Sequence, residues 1–108
     1  MTITILGTQY TISLTTPKSD PRLEDCAGYC DDSAKIMAID VTEHTDSSCK
    51  HDLVAVRQKV LRHEIVHAFL CESGLAECSL WAQNEEMVDW VAAQGEKIYK
   101  AWKEAGAV

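Results

Sequence analysis

The sequence predicts an α+β domain, a small antiparallel β-sheet made of two hairpins followed by two helices, in one unit spanning residues 1–108. Two patterns carry this reading. Apolar residues alternate with a period of two through the first half of the chain, then recur with the 3.6-residue period of a helix in the second. Size agrees: 108 residues, 46% apolar and 25% charged, suit a soluble chain that closes one hydrophobic core.

The first hairpin is "MTITILGTQYTISL", where Ile3 and Ile5, then Tyr10, Ile12 and Leu14, alternate with polar residues around Gly7-Thr8. "TTPKSDPR" at 15–22 holds both prolines and reads as a loop. "AGYCDDSAKIMAID" reads as the second hairpin, with Asp31-Asp32-Ser33 at its turn and Ile36, Ala38 and Asp40 facing opposite to Met37 and Ile39. After the polar stretch "TEHTDSSCKH", Val56, Val60, His63, His67 and Leu70 share one helical stripe, so residues from about 52 to 73 form a helix. Arg57, Arg62 and Glu72 lie off that stripe. Asp52 suits its N-cap and Gly74 the residue after its end. A second helix is expected from about 80 to 104, capped by Ser79, with Trp81, Val88, Val91, Ile98 and Trp102 inward. Trp81, Trp90 and Trp102 read as core or helix-packing residues rather than substrate contacts. Gly106 follows the helix.

The net charge of −7 offers no basic cluster to displace counterions, so nucleic acid is not an expected partner. No window reaches the roughly 18 apolar residues of a membrane span, and the N-terminus lacks a basic leader, so the expected location is the cytoplasm. Five cysteines, Cys26, Cys30, Cys49, Cys71 and Cys78, are an odd number. Reduced thiols are expected over a disulfide framework, and plain thiols over a Cys26/Cys30/Cys49 metal cluster, whose spacing is not C-x-x-C.

The chemistry concentrates in "RHEIVHAFLCESG", where His63-Glu64-Ile65-Val66-His67 spells H-E-x-x-H. Positions i and i+4 lie one above the other on a helix, so His63 and His67 can aim imidazole nitrogens at one point. Glu64 would stand beside a bound metal without ligating it, placed to move a proton. Chance supplies such a motif about once in a hundred chains of this composition. Two core histidines are the plain alternative, although an apolar stripe leaves such a pair in need of polar partners.

A zinc site needs a third protein ligand. Cys71 is eight residues from His63, roughly 12 Å along the helix, too far to share a metal with it; it reads as core. The pattern H-E-x-x-H-x-x-G-x-x-H is excluded, because Leu70 and Ser73 stand where Gly and His are required. His44 and His51 are weaker candidates in the polar loop. "WAQNEEMVDWVAAQ" offers a better one. Glu85 and Asp89, at i and i+4, put two carboxylates on one face, so one can bind zinc and the other can accept a hydrogen bond from a ligating histidine. Glu85 is chosen over Glu86 because the two point about 100° apart and Glu86 has Trp90, not a carboxylate, one turn on. The acidic pair also suits a solvated helix start.

With "HEIVH" and "NEEMVD" together, the chain resembles the gluzincins, zinc peptidases with H-E-x-x-H on one helix and a Glu ligand on the next. The second stretch resembles the thermolysin-type N-E-x-x-x-D sequence. "EEMVDWVA" is also similar to the E-x-x-x-N-x-F-A stretch of ImmA/IrrE-type metallo-endopeptidases, with Asp89 in place of Asn. The small size and the "GYCD…KIMAID…HEIVHAFLCESGL" layout look like minimal, often phage- or prophage-encoded members. The resemblance covers roughly residues 28 to 98.

It implies a zincin-like fold and a zinc-dependent endopeptidase: His63, His67 and Glu85 as zinc ligands, Glu64 as general base and acid acting on zinc-bound water, and Asp89 orienting a histidine ligand. It further implies that a strand of the hairpin at 35–40 is a sheet edge above the first helix, able to pair with an extended peptide or protein substrate. Larger gluzincins carry a second lobe with a Tyr or His that stabilises the oxyanion; the candidates here are Tyr29, His44 and His51. The alternative function is a zinc-stabilised, non-catalytic module that binds a phage or host regulator.

Overall fold

A computed structural model describes residues 1–43 and 52–108; His44, Cys49 and His51 fall outside the described residues. Four strands, β1 (Thr2–Ile5), β2 (Thr8–Thr15), β3 (Gly28–Asp31) and β4 (Ile36–Asp40), precede three helices, α1 (Leu53–Glu72), α2 (Leu75–Cys78) and α3 (Glu85–Glu104). The architecture is α+β, with the strands forming one sheet in the order β1-β2-β4-β3.

β1 and β2 pair antiparallel, joined by the two-residue turn Leu6-Gly7. Both turn residues have positive φ, 47° and 88°, the conformation that matches the right-handed twist of a tight hairpin and that Gly7 adopts without strain. The turn therefore sits one residue before the expected Gly7-Thr8, and Thr8 opens β2. β3 and β4 also pair antiparallel, with Asp31 Oδ1 accepting from the amides of Ser33 and Ala34 at 3.1 and 3.3 Å to close the turn.

The expectation of an antiparallel sheet is corrected where the hairpins meet. β2 and β4 run parallel, Thr11 opposite Ile36 through Thr15 opposite Asp40, so the sheet is mixed. The chain leaving β2 passes the place of β4, builds β3 at the far edge and returns as β4 in the middle. Period-two alternation looks the same in parallel and antiparallel strands, so the local pattern does not encode this junction.

The same topology corrects the expected edge. The strand at 35–40 is paired on both sides, by β2 and by β3; the edges are β1 and β3. Three successive residues of β4, Met37, Ala38 and Ile39, are buried. Neighbouring side chains point to opposite faces, so both faces of this strand are covered. The 3-10 turn Pro21–Glu24, whose Leu23 is buried, packs against it.

On the helical side, Ile5, Tyr10, Ile12 and Met37 of the sheet close over Ala68, Leu61 and Ile65 of α1. A second cluster, Leu70 and Val66 of α1 with Ala82, Met87 and Val88, joins α1 to the following helices. α1 is thus held from two sides. Its ends match the sequence reading: Asp52 accepts from the Ala55 amide at 2.9 Å, and Gly74 takes φ 83° just beyond it.

α3 begins later than expected. Ser79 ends the short α2, a 3-10 turn spans Trp81–Gln83, and Asn84 caps α3 by accepting from the Met87 amide at 2.7 Å. Val88 and Ala92 form its buried stripe, and their small size lets α1 approach closely. Trp81, Trp90 and Trp102, expected as core or packing residues, are 58, 58 and 54% exposed. Arg62 Nε donates to Ala92 O at 2.7 Å, tying the two long helices together. Among the described residues, no helix is long and apolar enough to cross a membrane.

β3 lies against α1 because residue 28 is glycine. A Cβ there would stand 2.7 Å from Val60 Cγ1 and 3.0 Å from the Ala38 carbonyl oxygen. Gly28→Ala is therefore expected to destabilise by about 1–3 kcal/mol through overpacking, read as a lower urea midpoint at unchanged slope. Adding Val60→Ala recovers part of that loss.

The C-terminal turn of α1 is pinned by Glu72, which accepts from Thr8 Oγ1 at 3.0 Å, Tyr10 Oη at 2.8 Å and Lys35 Nζ at 2.6 Å. Lys35 first, then Tyr10, holds the Glu72 carboxyl below its ordinary value. A carboxylate whose pKa is depressed on folding stabilises the fold above its unfolded pKa, near 4.3, and that stability is lost as pH falls through the folded value. Thermal melts from pH 7 down to pH 3 are expected to show a steeper acid decline for the wild-type chain than for Glu72→Gln.

Candidate metal centre

His63 and His67 lie one turn apart on α1, their ring centroids 4.8 Å apart and their planes inclined at 69°. Glu85 is the first residue of α3, delivered to them by the Asn84 cap and by the cluster of Leu70, Ala82 and Val88, against which Val66 and Met87 pack. His63 Nε2 is 3.1 Å from His67 Nε2 and 2.9 Å from Glu85 Oε2, and His67 Nε2 is 3.2 Å from Glu85 Oε2. These three side chains form a group that could hold a metal ion, and no other such group of His, Cys, Asp or Glu occurs among the described residues.

The spacing can be tested against a coordination sphere. Ligand atoms about 2.0–2.1 Å from a tetrahedral centre lie roughly 3.3 Å from one another. The observed separations, 2.9 to 3.2 Å, fall just inside that figure. The donor chemistry fits too. His63 Nδ1 faces Asp89 Oδ1 at 3.4 Å, and a ring that keeps its proton on that side presents a bare lone pair at Nε2. With each ring protonated on Nδ1, the two imidazole nitrogens and the carboxylate that converge on one point are all acceptors, and a cation in their midst satisfies all three.

Glu64 is 6% exposed, the one buried charged residue among those described. Burial raises its carboxyl pKa, while the neighbouring His63 and His67 pull the other way. It lines the same open pocket of about 780 Å³ as His63, His67, Glu85 and Asp89. Asp89 is held below the ordinary carboxyl value, first by Lys59, whose Nζ is 3.2 Å from Asp89 Oδ2, and then by His63.

β3 forms the opposite wall, contributing Gly28, Tyr29 and Cys30. Ala27 O accepts from the Asp40 amide at 2.9 Å. Bonded and non-bonded pairs alternate along an antiparallel ladder, so Tyr29 bonds to Ala38 while Gly28 and Cys30 direct their N–H and C=O away from β4, toward the open edge.

Other sequence candidates are placed elsewhere. The Tyr29 hydroxyl donates to Asp20 Oδ2 at 2.5 Å, and its ring lies under the Arg22 guanidinium at 3.9 Å, so its polar end belongs to a surface cluster. Cys26, Cys30, Cys71 and Cys78 are free thiols. Cys30 and Cys71 stand half-buried in the pocket wall, and burial pushes the Cys30 thiol up to about 12. Cys71 was expected in the core.

Two contributors were missed in the sequence. Gly28 brings β3 onto α1, and no periodicity flags it. Lys59 does carry a signal: at i−4 from His63 it continues the helix face of both histidines.

Comparison with known protein families, with curated proteins and with solved structures finds no match to this chain.

Proposed function

We propose that this chain is a small zinc metallopeptidase of the gluzincin type, with a zincin-like arrangement in which α1 and α3 supply the ligands and β3 supplies the substrate-binding edge. The observation that carries the reading is the convergence of His63 Nε2, His67 Nε2 and Glu85 Oε2 to within 3.2 Å of one another, with the buried Glu64 in the same pocket. A zinc ion held there would supply a Lewis acid able to polarise a carbonyl and acidify the attacking water.

The chain's own residues do the rest. Glu64 takes a proton from the attacking water as its oxygen adds to the carbonyl carbon, and passes that proton to the leaving nitrogen as the C–N bond breaks. Asp89 Oδ1, 3.4 Å from His63 Nδ1, orients the ring that presents Nε2. The outward N–H and C=O groups of Gly28 and Cys30 hold an extended peptide as an added strand. The free thiols and the absence of a membrane-spanning helix among the described residues suit a cytoplasmic setting.

One observation favours a second reading. The Tyr29 hydroxyl is committed to Asp20, which removes it as oxyanion stabiliser, so a zinc-stabilised module that holds a phage or host regulator along β3 without cutting it is the competing function. Incubation of the zinc-loaded chain with a mixed peptide library, followed by mass spectrometry, separates the two. New termini that disappear with a zinc chelator support the peptidase, and intact peptides retained on the protein support the module.

A further inference from the structure

Lys59 stands one turn before His63 on α1 and lines the pocket beside it. Its Nζ is 3.2 Å from Asp89 Oδ2, while the other oxygen of that carboxylate is 3.4 Å from His63 Nδ1. One carboxylate on α3 is thus shared by two residues of α1. Asp89 and Lys59 have side chains 53 and 44% exposed. A carboxylate that open to water would sample several rotamers, and the His63 contact by itself sits at the outer limit of a hydrogen bond.

We infer that Lys59 is a positioning residue of the metal centre: by holding Asp89 Oδ2 it keeps Asp89 Oδ1 turned toward His63 Nδ1, and so sets the ring whose Nε2 faces the ion. The inference rests on the assignment of His63, His67 and Glu85 as zinc ligands. It has an unusual sign. Through charge alone, a lysine within a Debye length of a cation repels it, and its removal strengthens metal binding. Through positioning, its removal frees Asp89 and weakens metal binding. Outer partners of ligating histidines change metal affinity by about 10–100-fold. A residue acting through such a partner by a half-exposed ion pair changes it less, about three- to fivefold.

Zinc affinity measured by competition with a chromophoric chelator tests this in five chains: wild type, Lys59→Met, Lys59→Arg, Asp89→Asn and the double variant Lys59→Met/Asp89→Asn. Lys59→Met is expected to weaken zinc binding about three- to fivefold, and Lys59→Arg, which keeps the charge and the contact, to stay within about twofold of wild type. In the Asp89→Asn background, Lys59→Met causes no further weakening, because the group it acts through is gone. Unfolding midpoints of the metal-free chains identify any variant that fails to fold, and Lys59→Arg supplies a reading that does not depend on losing the charge. Unchanged or tighter binding in Lys59→Met overturns the inference, as does an equal weakening with and without Asp89. A wild-type chain that takes up no zinc overturns the metal centre itself, whereas wild-type binding with an unaffected Lys59→Met overturns this inference alone.

Discussion

Glu64→Gln is expected to abolish peptide hydrolysis while leaving zinc binding intact. The substitution keeps the shape of the side chain and removes its ability to accept a proton from the attacking water, a role worth about 10²–10⁴ in rate. Since Glu64 is not among the three converging side chains that could hold a metal, the zinc content is expected to equal that of the wild-type chain. A second consequence runs in the opposite direction. An ionised carboxylate that is 6% exposed is costly to bury, and an amide is less so. The metal-free Glu64→Gln chain is therefore expected to melt at the same temperature as wild type or above it. Lost activity beside retained metal and undiminished stability marks a residue kept for chemistry. If the variant still cleaves at the wild-type rate, Glu64 is not the base.

His67→Ala is expected to remove zinc binding, and with it the stabilisation that the ion provides. A ligand that binds only the folded chain stabilises it by RT ln(1 + [L]/Kd), about 2.7 kcal/mol at a hundredfold excess over Kd. In a domain of this size each kcal/mol moves the melting temperature by about 4–8 °C, so zinc is expected to raise the wild-type midpoint by more than 10 °C. His67→Ala loses most of that rise, because the loss of a ligand exceeds the 10–100-fold effect of an outer partner. Its metal-free midpoint stays close to wild type, since His67 is only half-buried and belongs to neither core cluster. Calorimetry with zinc and with chelator separates the two effects; a metal-induced rise preserved in His67→Ala contradicts the ligand assignment.

The parts of this molecule legible in its sequence are those set by local periodicity and by caps. The existence and ends of α1 follow from its 3.6-residue period, from Asp52 and from Gly74, and the nearness of His63 and His67 from helical geometry alone, whereas the face read as its apolar stripe, Val56, Val60, His63 and His67, lines the open pocket and Leu61, Ile65 and Ala68 meet the sheet instead. Glu85 and Asp89 are legible because i and i+4 share a face, and both face His63. What escaped was set by long-range pairing and by packing. The parallel junction of β2 with β4 places β4 inside the sheet and β3 at its edge, and no strand's own alternation carries that order. Apolar surface alone points the tryptophans inward, but the close approach of α1 and α3 selects Val88 and Ala92 for the buried stripe and leaves Trp90 and Trp102 of α3 exposed, as is Trp81 on the 3-10 turn before it. The start of α3 was misplaced by five residues because Asn84 competed successfully with Ser79 as cap, and that shift puts Glu85 in the first turn.

The central claim is that His63, His67 and Glu85 hold one zinc ion between α1 and α3. Crystals of the zinc-loaded chain, with anomalous diffraction collected on both sides of the zinc absorption edge, test it most directly. One anomalous peak is expected, about 2.0–2.2 Å from His63 Nε2, His67 Nε2 and a Glu85 carboxylate oxygen. A peak on other residues, or a folded chain in saturating zinc with no peak between the two helices, contradicts it.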